Sequence, residues 1–423
     1  MSNAVQKFRV VRGSGASAVL VGCMLGSCAM SAQADLWKVY GTAKLETEFS
    51  DNKRLTSEDE DDGFQTTADL EVNAVRTSRT NKISAQAQVE AIRFSGIELQ
   101  ENEENVAVSL TGQHRPTRNL TLGWYGDFAR DTTSNREPRA GSQVDENSNF
   151  SVDTGLTREQ FRTQEFSFGP NVEWQVSENL SLSASYNYRD IQFPDDAGAF
   201  GFFDSDRHLL QFGASYALDE RHSLSVSARG SLFESFREFN DGTQLLSANV
   251  ETETIGGSIG YRFDFAENIY FGLDLGLDSV ETEANGSLLG SSDTEFVYRI
   301  FGVRRGQQSN LLASFSRSIR PSGIGRLVES NLARVVFSYR PDERQTLRLR
   351  ASYISNKPIG DVLVRLDREF FAIEPGYSYR INRQLSLGIN YRYRFRDLRL
   401  IEEQADSHSV AANIEYRFGR NQQ

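Results

Sequence analysis

The chain has 423 residues, with 46 Lys and Arg against 58 Asp and Glu, a formal net charge of −12 and 38% hydrophobic residues. Both cysteines (Cys23, Cys28) and all three methionines (Met1, Met24, Met30) lie at the start, so the rest is no disulfide scaffold, zinc-thiolate protein or thiol enzyme. A mean hydropathy of −0.49 excludes a bundle of transmembrane helices, each of which needs about 20 consecutive apolar residues. Frequent aromatics, with no heptad or Gly-X-Y period, exclude coiled coil, collagen and disorder throughout.

Residues 1–34 read as a secretory signal peptide. Lys7, Arg9 and Arg12 make a positive start, Ala16 to Leu25 an apolar stretch, and Ala32-Gln33-Ala34 a small-residue cleavage site. Leu20-Val21-Gly22-Cys23 and Leu25-Gly26-Ser27-Cys28 also resemble lipoprotein boxes, so lipidation at Cys23 or Cys28 is the alternative to cleavage before Asp35. The second segment, 35–423, is expected to be a single β-barrel domain.

From Asp35 onward the dominant signal is alternation of apolar and polar residues, the mark of strands with two unlike faces. In chain order it appears at 120–128, 180–188, 208–218, 222–232, 269–277, 346–353, 384–396 and 408–418. In the clearest copy, Leu385, Leu387, Ile389, Tyr391, Tyr393 and Phe395 share one face and Ser386, Gly388, Asn390, Arg392, Arg394 and Arg396 the other. A repeated unit joins such strands: an aromatic residue ends one, a short polar turn follows, and an alternating strand leaves. It occurs at 174–180, 216–222, 339–345 and 377–383, where Asp, Glu and Asn supply hairpin chemistry.

The opposite connections are longer and acidic or glycine-rich: 51–63, 96–104, 131–161, 194–206, 236–247, 282–293, 320–328, 357–363 and 398–407. Short turns at one end and long loops at the other define the outer-membrane barrel of a Gram-negative cell. The expected fold is therefore an all-β, transmembrane, antiparallel up-and-down barrel of about 18 strands, with 16 the alternative, its short turns periplasmic and its long loops extracellular. Aromatics at strand ends (Trp174, Tyr216, Tyr261, Phe263, Tyr339, Tyr377, Tyr379, Tyr416, Phe418) suit the interfacial girdle of such a barrel rather than a soluble sheet. The last strand ends in Tyr416 and Phe418, which resembles the assembly signal read by the outer-membrane insertion machinery, although Gly419 to Gln423 follow it.

Charge is segregated along the chain. Residues 35–298 carry 46 acidic and 21 basic side chains, whereas 299–400 carry 8 and 20; of the basic residues in the whole chain 40 are Arg and six Lys. Arg189, Arg229, Arg262, Arg348, Arg350, Arg380, Arg392, Arg394 and Arg396 fall on polar faces. Either they pair with lumenal carboxylates such as Glu173, Asp274 and Glu374 and hold the wall together, or they form a pore-lining basic strip that attracts anionic solute. Arginines near strand tops are alternatively lipopolysaccharide contacts. The third long loop, 131–161, with Arg136, Glu137, Arg139, Asp145 and Glu146, suits either a constriction folded into the pore or an exposed loop. Phe200, Phe202 and Phe203 are rim anchors or sugar-stacking surfaces.

Four histidines are available for catalysis. His114 and His222 sit at turns, His408 begins the last alternating strand, and His208 follows Asp204 and Asp206, with Asp206 on its own face so that an acid–His pair can be drawn there. No phosphate loop, dinucleotide fingerprint or metal-ligand spacing occurs, so no catalytic residue, metal or cofactor is expected, and no nucleic-acid partner. No plug domain or energy-coupling box is read near Asp35.

Around 311–356 the chain resembles outer-membrane β-barrel porins associated with exopolysaccharide biosynthesis and export. The residues that carry the resemblance are Ser316-Arg317-Ser318-Ile319-Arg320-Pro321-Ser322-Gly323-Ile324-Gly325-Arg326-Leu327, the turn from Tyr339 to Arg344 and the strand to Tyr353. It implies an eighteen-stranded barrel that lets secreted polysaccharide cross the outer membrane beside periplasmic polysaccharide-export proteins. The function expected is an export channel; a general diffusion porin, a structural barrel and an outer-membrane barrel hydrolase are the alternatives. The expected surroundings are outer-membrane lipid and lipopolysaccharide.

Overall fold

The computed structural model describes residues 37–57, 62–97, 101–132, 161–194, 204–240, 245–284, 291–321, 327–359, 368–398 and 403–419. They form eighteen strands: β1 Lys38–Ser50, β2 Gly63–Thr77, β3 Asn81–Ser95, β4 Glu103–Thr117, β5 Leu120–Thr132, β6 Arg162–Gln175, β7 Leu180–Gln192, β8 Asp204–Ala217 and β9 His222–Asn240. The second half comprises β10 Leu245–Ala266, β11 Ile269–Ala284, β12 Ser291–Arg305, β13 Ser309–Pro321, β14 Leu327–Tyr339, β15 Gln345–Pro358, β16 Arg368–Arg380, β17 Leu385–Leu398 and β18 Glu403–Gly419.

Each strand pairs antiparallel with its sequence neighbours, and β1 pairs β18 from Tyr40↔Gly419 to Ser50↔Ser409, which closes the sheet. The expected barrel is thus found with eighteen strands rather than sixteen. Connections of two to five residues join strands at one end; the other end carries the nine remaining connections. One boundary differs from the sequence reading. The β9–β10 ladder continues to Leu245↔Asn240, shortening the 236–247 loop to 241–244, because backbone pairing needs no apolar face once the strands leave the bilayer. At 19 and 22 residues, β9 and β10 exceed the 9–11 or so that a spanning strand requires.

The repeated turns share one device. Asp219 Oδ1 accepts from the backbone N–H of Arg221 (2.8 Å) and His222 (2.9 Å), Asp342 Oδ1 from Arg344 (2.7 Å) and Gln345 (2.8 Å), and Asn382 Oδ1 from Gln384 (2.8 Å) and Leu385 (2.9 Å). These side chains satisfy amides that the ladder cannot reach. The bonds hold the Asp219 and Asp342 carboxyls below the usual aspartate range.

The packing is inverted relative to a soluble domain. Large apolar side chains face outward, with Leu45, Leu70, Val89, Leu210, Ile255, Ile259, Leu277 and Ile300 all exposed. Aromatics flank this band: Phe49, Phe64, Phe128, Phe166, Phe296 and Tyr391 toward the long loops, Trp174, Tyr216, Tyr261, Tyr379 and Tyr416 toward the short turns. Only a hydrocarbon solvent makes that surface favourable, and two aromatic girdles mark where it meets water. The chain is a barrel of the outer membrane, and its polar groups turn inward.

Candidate functional site

Strand parity places every arginine of the expected strip on the lumenal face, because the residues beside each of them point out to lipid. What these guanidiniums do there divides them into two groups. From mid-barrel to the long loops they are bound to carboxylates or backbone. Arg189 grips Glu165 through Nε (2.7 Å) and Nη2 (3.1 Å), both side chains buried. Arg229 holds Asp278 in the same fork (3.0 and 2.7 Å), across Gly256 of the intervening strand, which faces both residues in register. A Cβ at Gly256 would collide with the Asp278 carboxylate, so this ion pair needs glycine beneath it. Arg317 bridges Glu295 (2.5 Å) and Glu329 (2.9 Å), and Arg299 reaches Asp274 (3.0 Å).

A longer chain of charges crosses the closure seam. Arg350 and Arg392 share Glu374 (3.1 and 3.0 Å), Arg392 also reaches Glu48 (3.4 Å), and Glu48 binds Lys53 Nζ (2.8 Å). Arg396 binds Glu403 (3.2 Å). Burial pulls the Lys53 ammonium below its ordinary value, and the Glu48 carboxylate opposes that shift. The wall-holding alternative for the strip therefore describes these residues. Glu374 and Asp274 are the carboxylates expected from the sequence, whereas Glu165, Asp278, Glu48 and Glu403 emerge only from the fold.

Toward the short turns Arg262 is paired with Asp264 (2.7 Å) and Arg417 with Glu415 (2.5 Å), whereas four other arginines face open lumen. Arg340, Arg344, Arg348 and Arg380 line a cavity of about 480 Å³, are exposed to it, and form no ion pair with any described residue. All four lie at or next to the β14–β15 and β16–β17 turns, that is, at the periplasmic mouth. Across the same cavity stand Glu46, Asp69, Glu71 and Glu90 of β1 to β3, partly engaged by Lys44 (2.7 Å to Glu46), by Asn73 (2.6 Å to Glu71) and by Asn105 (2.9 Å to Glu90).

The first long connection folds into the barrel. Asn52, Lys53, Arg54, Leu55 and Thr56 are all buried, Leu55 completely. Asn52 Nδ2 donates to the carbonyls of Thr56 (2.7 Å) and Asp406 (3.0 Å), and its Oδ1 accepts from Thr56 N–H (3.1 Å). Arg394 Nη2 donates to the carbonyls of Asn52 (3.2 Å) and Lys53 (3.1 Å) and to Ser407 Oγ (3.1 Å). The Leu55 side chain sits against Ile354, Phe370 and Ala405 on the lumenal wall. Sequence reasoning weighed an inward fold only for 131–161, with an exposed loop as the alternative, and overlooked this one; 133–160, with Arg136, Glu137, Arg139, Asp145 and Glu146, and 195–203, with its phenylalanines, lie outside the described residues. The available signal was Leu55 itself, the one apolar side chain in an otherwise polar and acidic stretch.

At the seam Phe418 lies over Gly41 of β1, whose backbone pairs with it, and Tyr416 faces lipid. His208 is on the outer wall, where its Nδ1 meets the Tyr186 hydroxyl (2.7 Å) and its ring lies 5.0 Å from that of Tyr188. His408 repeats the arrangement with Tyr391 (2.6 Å) and Tyr393 (5.0 Å), so both imidazoles belong to the outer girdle. Among the described residues no cluster of His, Cys, Asp and Glu suits a metal ion.

No protein-family model matches the chain, and no curated protein matches it in sequence. Among solved structures it is similar to the FrpB iron transporter of Neisseria meningitidis in its apoprotein form, at 9% identity over 91% of this chain and 82% of that one, with a TM-score of 0.48. It is also similar to FauA, the alcaligin outer-membrane receptor of Bordetella pertussis (10% identity, 92% and 77% coverage, TM-score 0.45). A loop L8 deletion mutant of OmpT from Vibrio cholerae stands at 12% identity, 91% and 100% coverage and a TM-score of 0.38. Likeness of this order carries no ligand and no activity to this chain.

Proposed function

We propose that this barrel is a passive outer-membrane channel for the export of a secreted polysaccharide, without catalytic residues, metal or cofactor. The observation that carries the channel reading is the lumenal cavity, whose periplasmic end bears four guanidiniums with no ionic partner of their own. A sealed structural barrel gains nothing from uncompensated cations in a low-dielectric tube, whereas an entrance that draws hydrated, anionic solute does. The polysaccharide assignment rests on the resemblance across 311–356. On this reading the partners are periplasmic polysaccharide-export proteins below, lipopolysaccharide outside, and the insertion machinery that receives Tyr416 and Phe418.

The test is conductance of the refolded protein in planar bilayers, with reversal potentials measured in a salt gradient. Discrete channel openings are expected, with anions preferred. A folded barrel that never conducts would leave the structural alternative standing. Genes for glycosyltransferases and chain-length regulators beside this one would favour export over a general diffusion porin.

A further inference from the structure

Resting on the channel reading above, we propose that the strap formed by residues 51–57 is the constriction of the pore, and that Leu55 is the side chain that seats it and so sets the size of solute that passes. Four observations converge on it. The strap is inside the barrel rather than above it, since every side chain from Asn52 to Thr56 is buried although the segment is a connection between strands. Its path runs from the end of β1 past β18 and β17, where the Asp406 carbonyl accepts from the Asn52 side chain and Arg394 donates to the Asn52 and Lys53 carbonyls, to an apolar patch formed by Ile354 of β15, Phe370 of β16 and Ala405 of β18. That patch, with Leu332 and Ala372 beside it, is an apolar stretch of the lumenal wall, and Leu55 packs against it.

Leu55 also adopts φ +57°, a left-handed conformation that leucine rarely takes and that glycine or asparagine takes readily. A leucine persists there because its side chain, not its backbone preference, is used. Finally, Lys53 of the strap lines the cavity that the periplasmic arginines enter, and the Lys53 to Glu48 to Arg392 to Glu374 chain ties it to the wall. The barrel does not need the strap to close, because the β1–β18 ladder is complete as far as Ser50↔Ser409. A segment that closure does not require, fastened to the lumenal wall of β15 to β18 by both an apolar contact and a chain of ion pairs, occupies lumenal space and narrows the path of anything that crosses.

The experiment compares the full chain with Leu55→Asp, Leu55→Ala and a variant in which 52–56 is replaced by a glycine-serine linker. Each is checked for folding by heat-modifiable migration and strand circular dichroism. Leu55→Ala serves if the other two fail to fold, since it trims the apolar contact while keeping an apolar residue. Readouts are single-channel conductance and liposome swelling with neutral oligosaccharides of increasing length. Folded strap variants are expected to conduct roughly twofold or more above the parent chain and to admit longer sugars, whereas a control deletion of 133–160 leaves that difference in place. Folded variants with the parent conductance and the parent size limit overturn the constriction while leaving the channel intact. A size limit that moves only in the control deletion overturns it equally. If neither the parent chain nor any folded variant conducts, the channel reading itself falls.

Discussion

Single residues carry three separate consequences. Asp342 and Asp219 accept two backbone N–H bonds apiece in exposed turns, so their carboxyls titrate below the ordinary aspartate value of 3.8. A carboxyl whose folded value is depressed contributes stability that is complete above the unfolded value and is lost as pH falls through the folded one. Protection factors of the Arg344 and Gln345 amides are therefore expected to fall below pH 3.8 in the parent chain and to stay flat in Asp342→Asn; parallel profiles would reject the turn bonds as their source. Glu165→Gln removes the carboxylate that the buried Arg189 guanidinium grips, and removing one partner of a buried pair costs about 3–5 kcal/mol. Urea unfolding from liposomes measures this, and a loss under ~1 kcal/mol would mean that lumenal water already screens the pair. Gly256→Val puts a side chain where Asp278 meets Arg229, and an overpacked contact of this kind costs about 1–3 kcal/mol. Gly230, whose added Cβ would meet nothing within 4 Å, is the control site and should tolerate alanine.

At the scale of elements, the hairpins and the faces of their strands were readable in advance. A period of two leaves no freedom about which side chain enters the lumen once one of them is known to face lipid, so the inward placement of Arg348, Arg350, Arg380, Arg392, Arg394 and Arg396 followed from alternation alone. Their division into bound and open groups did not, because each bond depends on which carboxylate stands one or two strands away. That division changes the selectivity experiment. Replacing Arg350, Arg392 or Arg394 disturbs the wall and the strap as well as the charge, whereas Arg348→Gln with Arg380→Gln removes open charge only. The double variant is expected to keep the parent stability while its reversal potential moves toward cation preference; an unmoved potential would show that the periplasmic arginines do not select ions. The strap shows the opposite limit of legibility. Its inward path depends on the apolar socket made by three strands far along the chain, and the lone Leu55 is all that the local sequence offers to announce it.

The whole molecule is decided at its seam. Strands follow one another around the barrel in sequence order, so closure sets the acidic first strands beside the arginine-rich last ones, and Glu48 meets Arg392 across 344 residues of sequence. Phe418 covers Gly41 there, and Phe418→Ala is expected to lower the yield of folded barrel in an insertion assay, as would a valine at Gly41; normal yields for both would remove the seam from the assembly signal. The amino-acid sequence by itself determined the strand period, the turn chemistry, the even count and the lipid-facing band, because each is a local requirement of a strand that has hydrocarbon on one side and water on the other. Only the closed tertiary structure decided which arginines are neutralised, which remain open at the periplasmic mouth, and that the first loop enters the lumen. Those outcomes are pairings between residues hundreds of positions apart, and an ion pair or an apolar socket exists only after the last strand has met the first.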